Sequence, residues 1–261
     1  MPSFLGGMVV CGYDEVEKGL YLGENDTASA KPGQEILLFP PEFEMDPADH
    51  PNLPKDIVNK AMNASWESVR TLAPHYTHWD RYAAFTCLIF ISFIADYDGS
   101  HVDLVSSDVV LGYDIGKLLD TLFGQTAYHD SMSREYRAGV LFMAEKSNIK
   151  RRTSSPLFRR YINSISRPPG AWYYRARGCD MILLFIMYGA LASAGYDHDI
   201  SFSQQELDII CEIGIHLYDA VAFYKHRAEG ETHNVFAYLD PVHRQETYRR
   251  AREVLWALET A

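Results

Sequence analysis

The stretch YAAFTCLIFISFIA, Tyr82–Ala95, decides the fold. It is apolar on every side of a helix and shorter than the roughly 20 residues a membrane span requires. A second run of the same kind, MILLFIMYGALASA, spans Met181–Ala194. Two such runs in one chain predict two helices buried at the centre of a helical bundle. No stretch alternates apolar and polar residues long enough to build a sheet. The fold expected is all-α, a single bundle.

Helices are expected over about 55–72, 79–96, 114–122, 130–147, 155–164, 171–193, 204–228 and 241–259. Pro54 marks the start of the first. Arg167-Pro168-Pro169-Gly170 is a hard break. Residues 1–39 read as a flexible segment, with turn formers clustered in Gly23–Gln34. Prolines between Pro40 and Pro54 favour extended chain. Residues 40–261 then form the helical domain.

The chain has 261 residues, 47% of them hydrophobic and 13% aromatic, which is enough to fill a core. A net charge of −11 argues against nucleic acid as a partner, because that needs a basic face. The basic runs Lys150–Arg152 and Arg159–Arg160 read as solvated helix ends. The cysteines Cys11, Cys87, Cys179 and Cys211 form no CxxC pair, and their use fits a reducing cytoplasm. No secretory leader and no membrane span are expected.

Three clusters carry candidate chemistry. Asp96 and Asp98 directly follow the first apolar run, where carboxylates could hold a hard cation; the plainer reading is a helix end capped by Gly99. Arg175 and Arg177 precede the second run, and an arginine fork suits phosphate; a pair of surface arginines is an equal alternative. The stretch YDAVAFYKHRAEGE, Tyr218–Glu231, puts Asp219, Ala222, His226 and Glu229 on one broad helix face, with Tyr218 and Lys225 beside it. Cations and carboxylates together suit a phosphate ester held with a metal ion. A solvated face with an ion pair such as Lys225–Glu229 is the alternative. The lone histidines His75, His78 and His129 read as structural or surface residues. HExxH, GxSxG, P-loop and GxGxxG motifs are absent.

The layout resembles class I terpene synthases: one inner helix ending in aspartate, one preceded by arginine, and a polar third helix. Where that class carries its second metal motif, this chain has Tyr218, Asp219, Ala222, Lys225 and His226. Within the class the chain is similar to the fungal α-ionylideneethane synthases of abscisic acid biosynthesis and the related fungal humulene synthases. The resemblance rests on YTHWDRYAAF (Tyr76–Phe85), LGYD (Leu111–Asp114), FRRYIN (Phe158–Asn163), LYDAVAFYKHRAEGET (Leu217–Thr232) and REVLWAL (Arg252–Leu258). It covers the chain from about Pro40 onward.

That resemblance implies a sesquiterpene cyclase that converts farnesyl diphosphate to α-ionylideneethane with release of diphosphate, using Mg2+. It implies catalytic roles for Asp96, Asp219 and His226, and metal binding by Asp96, Asp219 and Glu229. Diphosphate contacts would come from Arg175, Arg177, Lys225 and Arg227, and hydrocarbon contacts from Tyr82, Phe93 and Phe223. The other aromatics Phe85, Phe90, Phe185 and Tyr188 would shape the pocket or simply pack the core. Family members continue through further helices, so the chain is expected to be shortened. Two other readings stand beside this one: a humulene-type synthase, and a non-catalytic homologue binding an isoprenoid or a partner, with homo-oligomerisation as its sign. A helical metal hydrolase is disfavoured by the lack of a histidine-rich ligand set.

Overall fold

A computed structural model describes residues 53–259, except 125, 167–168, 197–201 and 229–233. The expectations for residues 1–52, Cys11 and Glu229 therefore lie outside the described residues. The rest forms an all-α bundle with ten helices: α1 (Lys55–Leu72), α2 (Trp79–Tyr97), α3 (Ile115–Phe123), α4 (His129–Ser147), α5 (Pro156–Ile165), α6 (Ala171–Asp180), α7 (Leu183–Ser193), α8 (Gln204–Ala228), α9 (Val235–Tyr238) and α10 (Pro241–Glu259). Pro54 takes the N-cap of α1, as expected. No single described helix is long and apolar enough to cross a membrane.

Helix α2 is the axis. It is buried from Phe85 through Ala95, because α1, α3, α4 and α7 pack around it. Its aromatic residues fill this space. Phe85 and Phe123 meet Phe185 edge to face at 5.9 and 5.7 Å, and Tyr136 lies 4.6 Å from Phe185. Tyr136 also donates to the Leu88 carbonyl at 2.8 Å. A second cluster, around Phe142, Tyr161, Tyr173, Ile215, Phe223 and Phe236, joins α4 to α5, α6, α8 and α9.

Two local features depart from the sequence expectation. LGYD is the turn of a two-residue antiparallel hairpin, with Val109 opposite Asp114 and Val110 opposite Tyr113. Leu111 and Gly112 take φ of 52° and 79° there, and the hairpin delivers Asp114 as the N-cap of α3, accepting from Lys117 N at 3.0 Å. The single helix expected over 171–193 is also two, α6 and α7. The chain bends by 59° between α6 and α7, and Ile182 sits at φ 45°. Left-handed backbone is costly for a β-branched residue, so tertiary packing must impose it. Gly139 of α4 presses on this corner: a Cβ there would lie 2.3 Å from Ile182 Cγ2 and 2.9 Å from the Cys179 carbonyl.

Helix α2 ends against α4 with backbone touching backbone. A Cβ on Gly99 would stand 1.8 Å from the Ala144 carbonyl oxygen. Ser147 Oγ stitches the contact, accepting from Gly99 N at 2.7 Å and donating to the Ala95 carbonyl at 2.5 Å. Gly99 opens a short 3₁₀ turn, Gly99–His101, and the C-cap of α2 is Asp98 rather than Gly99.

His129 clamps the α3–α4 junction. Its Nδ1 meets Asp130 and its Nε2 meets Asp120, both at 2.9 Å. Hydrogen bonding to Asp130, against some desolvation and with help from Asp120, raises its pKa above 6.5. A raised histidine pKa stabilises the fold below the unfolded value of about 6.5, and that contribution fades as pH rises through the folded value. Urea unfolding at about pH 5.5 and about pH 8.5 should show wild type losing stability relative to His129→Gln on going to the higher pH. Parallel pH profiles for the two proteins would refute the clamp.

Candidate active site

The seam between the two apolar clusters holds a continuous line of charge. Asp96, in the last turn of α2, accepts from Lys146 Nζ of α4 at 2.8 Å. The same Nζ donates to Asp180 Oδ1 of α6 at 2.6 Å. Asp180 Oδ2 accepts from Tyr161 of α5 at 2.8 Å and from Arg177 Nη1 at 3.1 Å. Arg177 Nη2 then reaches Asp219 Oδ1 of α8 at 2.6 Å. Asp219 Oδ2 takes the Tyr173 hydroxyl at 3.3 Å and the Val235 N–H at 2.7 Å. Asn234, just before α9, donates to the Asp219 carbonyl at 2.7 Å and to His226 Nδ1 at 3.1 Å. That leaves the imidazole proton on Nε2.

Burial makes the line directional. Asp219 is 0% exposed and Arg177 2%. At the other end the Lys146 side chain keeps 27% of its surface, so the line opens to solvent beside Asp96. Burial alone would lower the Lys146 pKa, but Asp180 and Asp96 outweigh it and hold the ammonium charged well above its usual range. Burial would likewise raise Asp180, and Lys146 and Arg177 outweigh that and hold it below the usual carboxylate range. Desolvation, followed by the neighbouring carboxylates, pushes the phenols of Tyr161 and Tyr173 up, so both stay protonated donors. Two cations thus fasten three carboxylates from three helices, which is the geometry a buried charge set needs.

The structure places the expected site residues as follows. Arg177 is no surface arginine, since Asp180 and Asp219 already occupy its fork. Arg175 forms its own two-pronged pair with Glu135, at 2.6 Å on one prong. Asp219 is fully buried, and both its oxygens already accept hydrogen bonds, from Arg177 on one and from Tyr173 and the Val235 N–H on the other. His226 is buried on Asn234 and braces the turn into α9. Tyr82 packs in an aromatic box with Trp66, Trp79 and Tyr76. Fourteen residues of helix separate it from Asp96, about 21 Å. Phe93 is buried in the α2 core. Phe223 lies beneath Arg244 and Arg227, 4.8 and 5.7 Å from its ring centroid, and lines a cleft of about 330 Å³ between α8, α9 and α10. Lys225 is half-buried and Arg227 exposed at the end of α8. The runs Lys150–Arg152 and Arg159–Arg160 are exposed.

The donor set also answers whether magnesium fits. Mg2+ wants oxygens at about 2.0–2.1 Å in octahedral array. Among the described residues, no three His, Cys, Asp or Glu side chains are grouped to hold a metal ion. The point where Asp96 and Asp180 converge carries the Lys146 ammonium. The residues described do not fit the ion.

Sequence reasoning missed Lys146, Tyr161, Tyr173, Asp180 and Asn234. One local signal was available: Arg177 and Asp180 stand three apart on a helix, the spacing of an intrahelical ion pair, immediately before an apolar run.

Fold and site together define an all-α protein with a charged centre that opens at the end of its inner helix. The family described as alpha-ionylideneethane synthase aba3 matches residues 35–261, and the chain belongs to it. It is 41% identical over 235 residues to alpha-ionylideneethane synthase aba3 of Botryotinia fuckeliana, covering 90% of this chain and 55% of that protein. It is 42% identical over 223 residues to alpha-ionylideneethane synthase abl3 of Leptosphaeria maculans, covering 85% of this chain and 51% of that one. Against abl3 of Pyricularia oryzae the identity is 40% over 224 residues, 85% and 42% of the two chains. The chain spans about half the length of the curated relatives it matches.

Proposed function

We propose that the chain is a cytoplasmic sesquiterpene cyclase converting farnesyl diphosphate to α-ionylideneethane, with release of diphosphate, in abscisic acid biosynthesis. The names of its relatives support the reaction. The observation that carries the reading to this chain is the Asp96–Lys146 end of the charge line, where a carboxylate only 6% exposed is paired with an ammonium whose side chain keeps 27% of its surface, at the end of an apolar inner helix. An ammonium has three donors. Asp96 and Asp180 use two, and the third serves a diphosphate oxygen. As the allylic carbon–oxygen bond breaks, its electron pair leaves on the diphosphate, and Lys146 stabilises the charge that develops there. Asp96 accepts a proton from the hydrocarbon cation, giving a neutral polyene. Tyr161, Arg177 and Asp180 hold that end in place. Magnesium remains an implication of the family and has no ligand set in this proposal. The free thiols Cys87, Cys179 and Cys211 suit a reducing compartment.

The test is incubation of purified protein with farnesyl diphosphate, followed by gas chromatography–mass spectrometry of the organic extract. Ionylideneethane is the expected product; humulene would keep the cyclase and change the pathway. A partner-binding homologue is the second reading. It is favoured by Val221, Tyr224, Val242 and Trp256, all more than half exposed around the α8–α10 face. Light scattering showing an associated, folded protein that yields no hydrocarbon would select it.

A further inference from the structure

We infer that Lys146 is a built-in cation standing where a divalent ion would otherwise bridge Asp96 and Asp180. It makes the inner acidic pair independent of metal. Asp96 lies in the last turn of α2 and Asp180 ends α6, so two carboxylates from separate helices converge on one point. Like charges so placed repel unless a cation lies between them. Helix α4 supplies that cation covalently: Nζ sits 2.8 Å from Asp96 Oδ1 and 2.6 Å from Asp180 Oδ1. The backbone contact of Gly99 with Ala144, two residues before Lys146, fixes how far the ammonium reaches.

The neighbourhood leaves little else for the pair to use. Asp180 Oδ2 is taken by Tyr161 and Arg177, and the Phe142 ring covers Lys146 from 5.9 Å. The spacing also suits oxygen coordination. Ammonium–carboxylate contacts of about 2.7–2.9 Å are only a few tenths of an ångström longer than the 2.3–2.6 Å bonds of a large hard cation. Truncating the lysine would leave two carboxylate oxygens facing a vacated, water-accessible position. That is an entry point for Ca2+ or Mn2+, which prefer oxygen ligands. The inference stands whichever hydrocarbon the site makes, and it concerns this position alone.

The test is Mn2+ binding, read by electron paramagnetic resonance on the full chain without diphosphate. Wild type, Asp96→Asn, Lys146→Ala, Lys146→Gln and the double variant Lys146→Ala with Asp96→Asn are compared. One Lys146 variant at least should bind Mn2+ ten or more times more tightly than wild type, and adding Asp96→Asn should abolish the gain. If the truncated proteins fold poorly, helical circular dichroism is followed during refolding with and without Mn2+. Metal-dependent recovery counts as the gain, by linkage. Two outcomes overturn the inference: wild type binding Mn2+ in a way that Asp96→Asn weakens tenfold, or neither Lys146 variant gaining affinity or metal-dependent folding.

Discussion

Arg177→Met is expected to lose about 3–5 kcal/mol of folding stability. The substitution keeps the stem and removes the charge from a side chain that is 2% exposed. Asp219 then keeps only the Tyr173 hydroxyl and the Val235 N–H, and Asp180 keeps Lys146 and Tyr161. Both carboxylates stay buried, and removing one partner of a buried ion pair leaves the desolvation of the other uncompensated. For a domain of this size the melting temperature should fall by roughly 10 °C. Adding Asp219→Asn should return part of the loss, because it removes the orphaned charge. Chemical denaturation of the two single variants and the double variant measures this directly. Additive losses would mean that the 2.6 Å contact contributes no coupling.

Gly99→Ala is the second large effect, and it acts on geometry instead of charge. The added carbon would meet the Ala144 carbonyl oxygen, carbon and Cα at 1.8, 2.4 and 2.5 Å. All three are backbone atoms of α4, so no side chain can rotate away. The end of α2 must move off α4, breaking the Ser147 bridge and parting Asp96 from Lys146. Overpacking of this kind costs about 3 kcal/mol. The prediction separates stability from position: a variant still folded at low temperature should also lose turnover, because its carboxylate and its ammonium no longer share a site. A variant matching wild type in both melting temperature and rate would contradict the close approach.

Patterns local in sequence were legible and long-range pairings were not. Helix α1 followed from the start signal at Pro54, and α8 and α10 took the bounds expected for them. The break between α6 and α7 stayed hidden because no proline or turn signal marks it; the close contact there is made by Gly139 on another helix, which lies against Ile182 and the Cys179 carbonyl. The polar face of α8 was read as a metal face, and the structure pairs its Asp219 with Arg177. Asp219 does point inward, but its partner Arg177 lies 42 residues away, and no periodicity reports a contact of that span. Lys146 looked like an ordinary basic residue near a helix C-terminus, where lysine is common. Only the convergence of α2, α4 and α6 turns it into the centre of a site. Tyr82 was recognised as buried, but its neighbours Trp66 and Trp79 make it part of a packed box.

The central claim is that the open end of the charge line acts on a prenyl diphosphate. It is tested most directly by comparing wild type with Asp96→Asn in the farnesyl diphosphate assay, at equal folded concentration. Asn keeps the shape while removing the charge and most of the basicity, and Asp180 still anchors Lys146. Hydrocarbon release from wild type, and about 100-fold less from a variant with unchanged circular dichroism, is the result expected when a group that moves a proton is lost. Equal rates from the two proteins, or no product from folded wild type, would contradict the account.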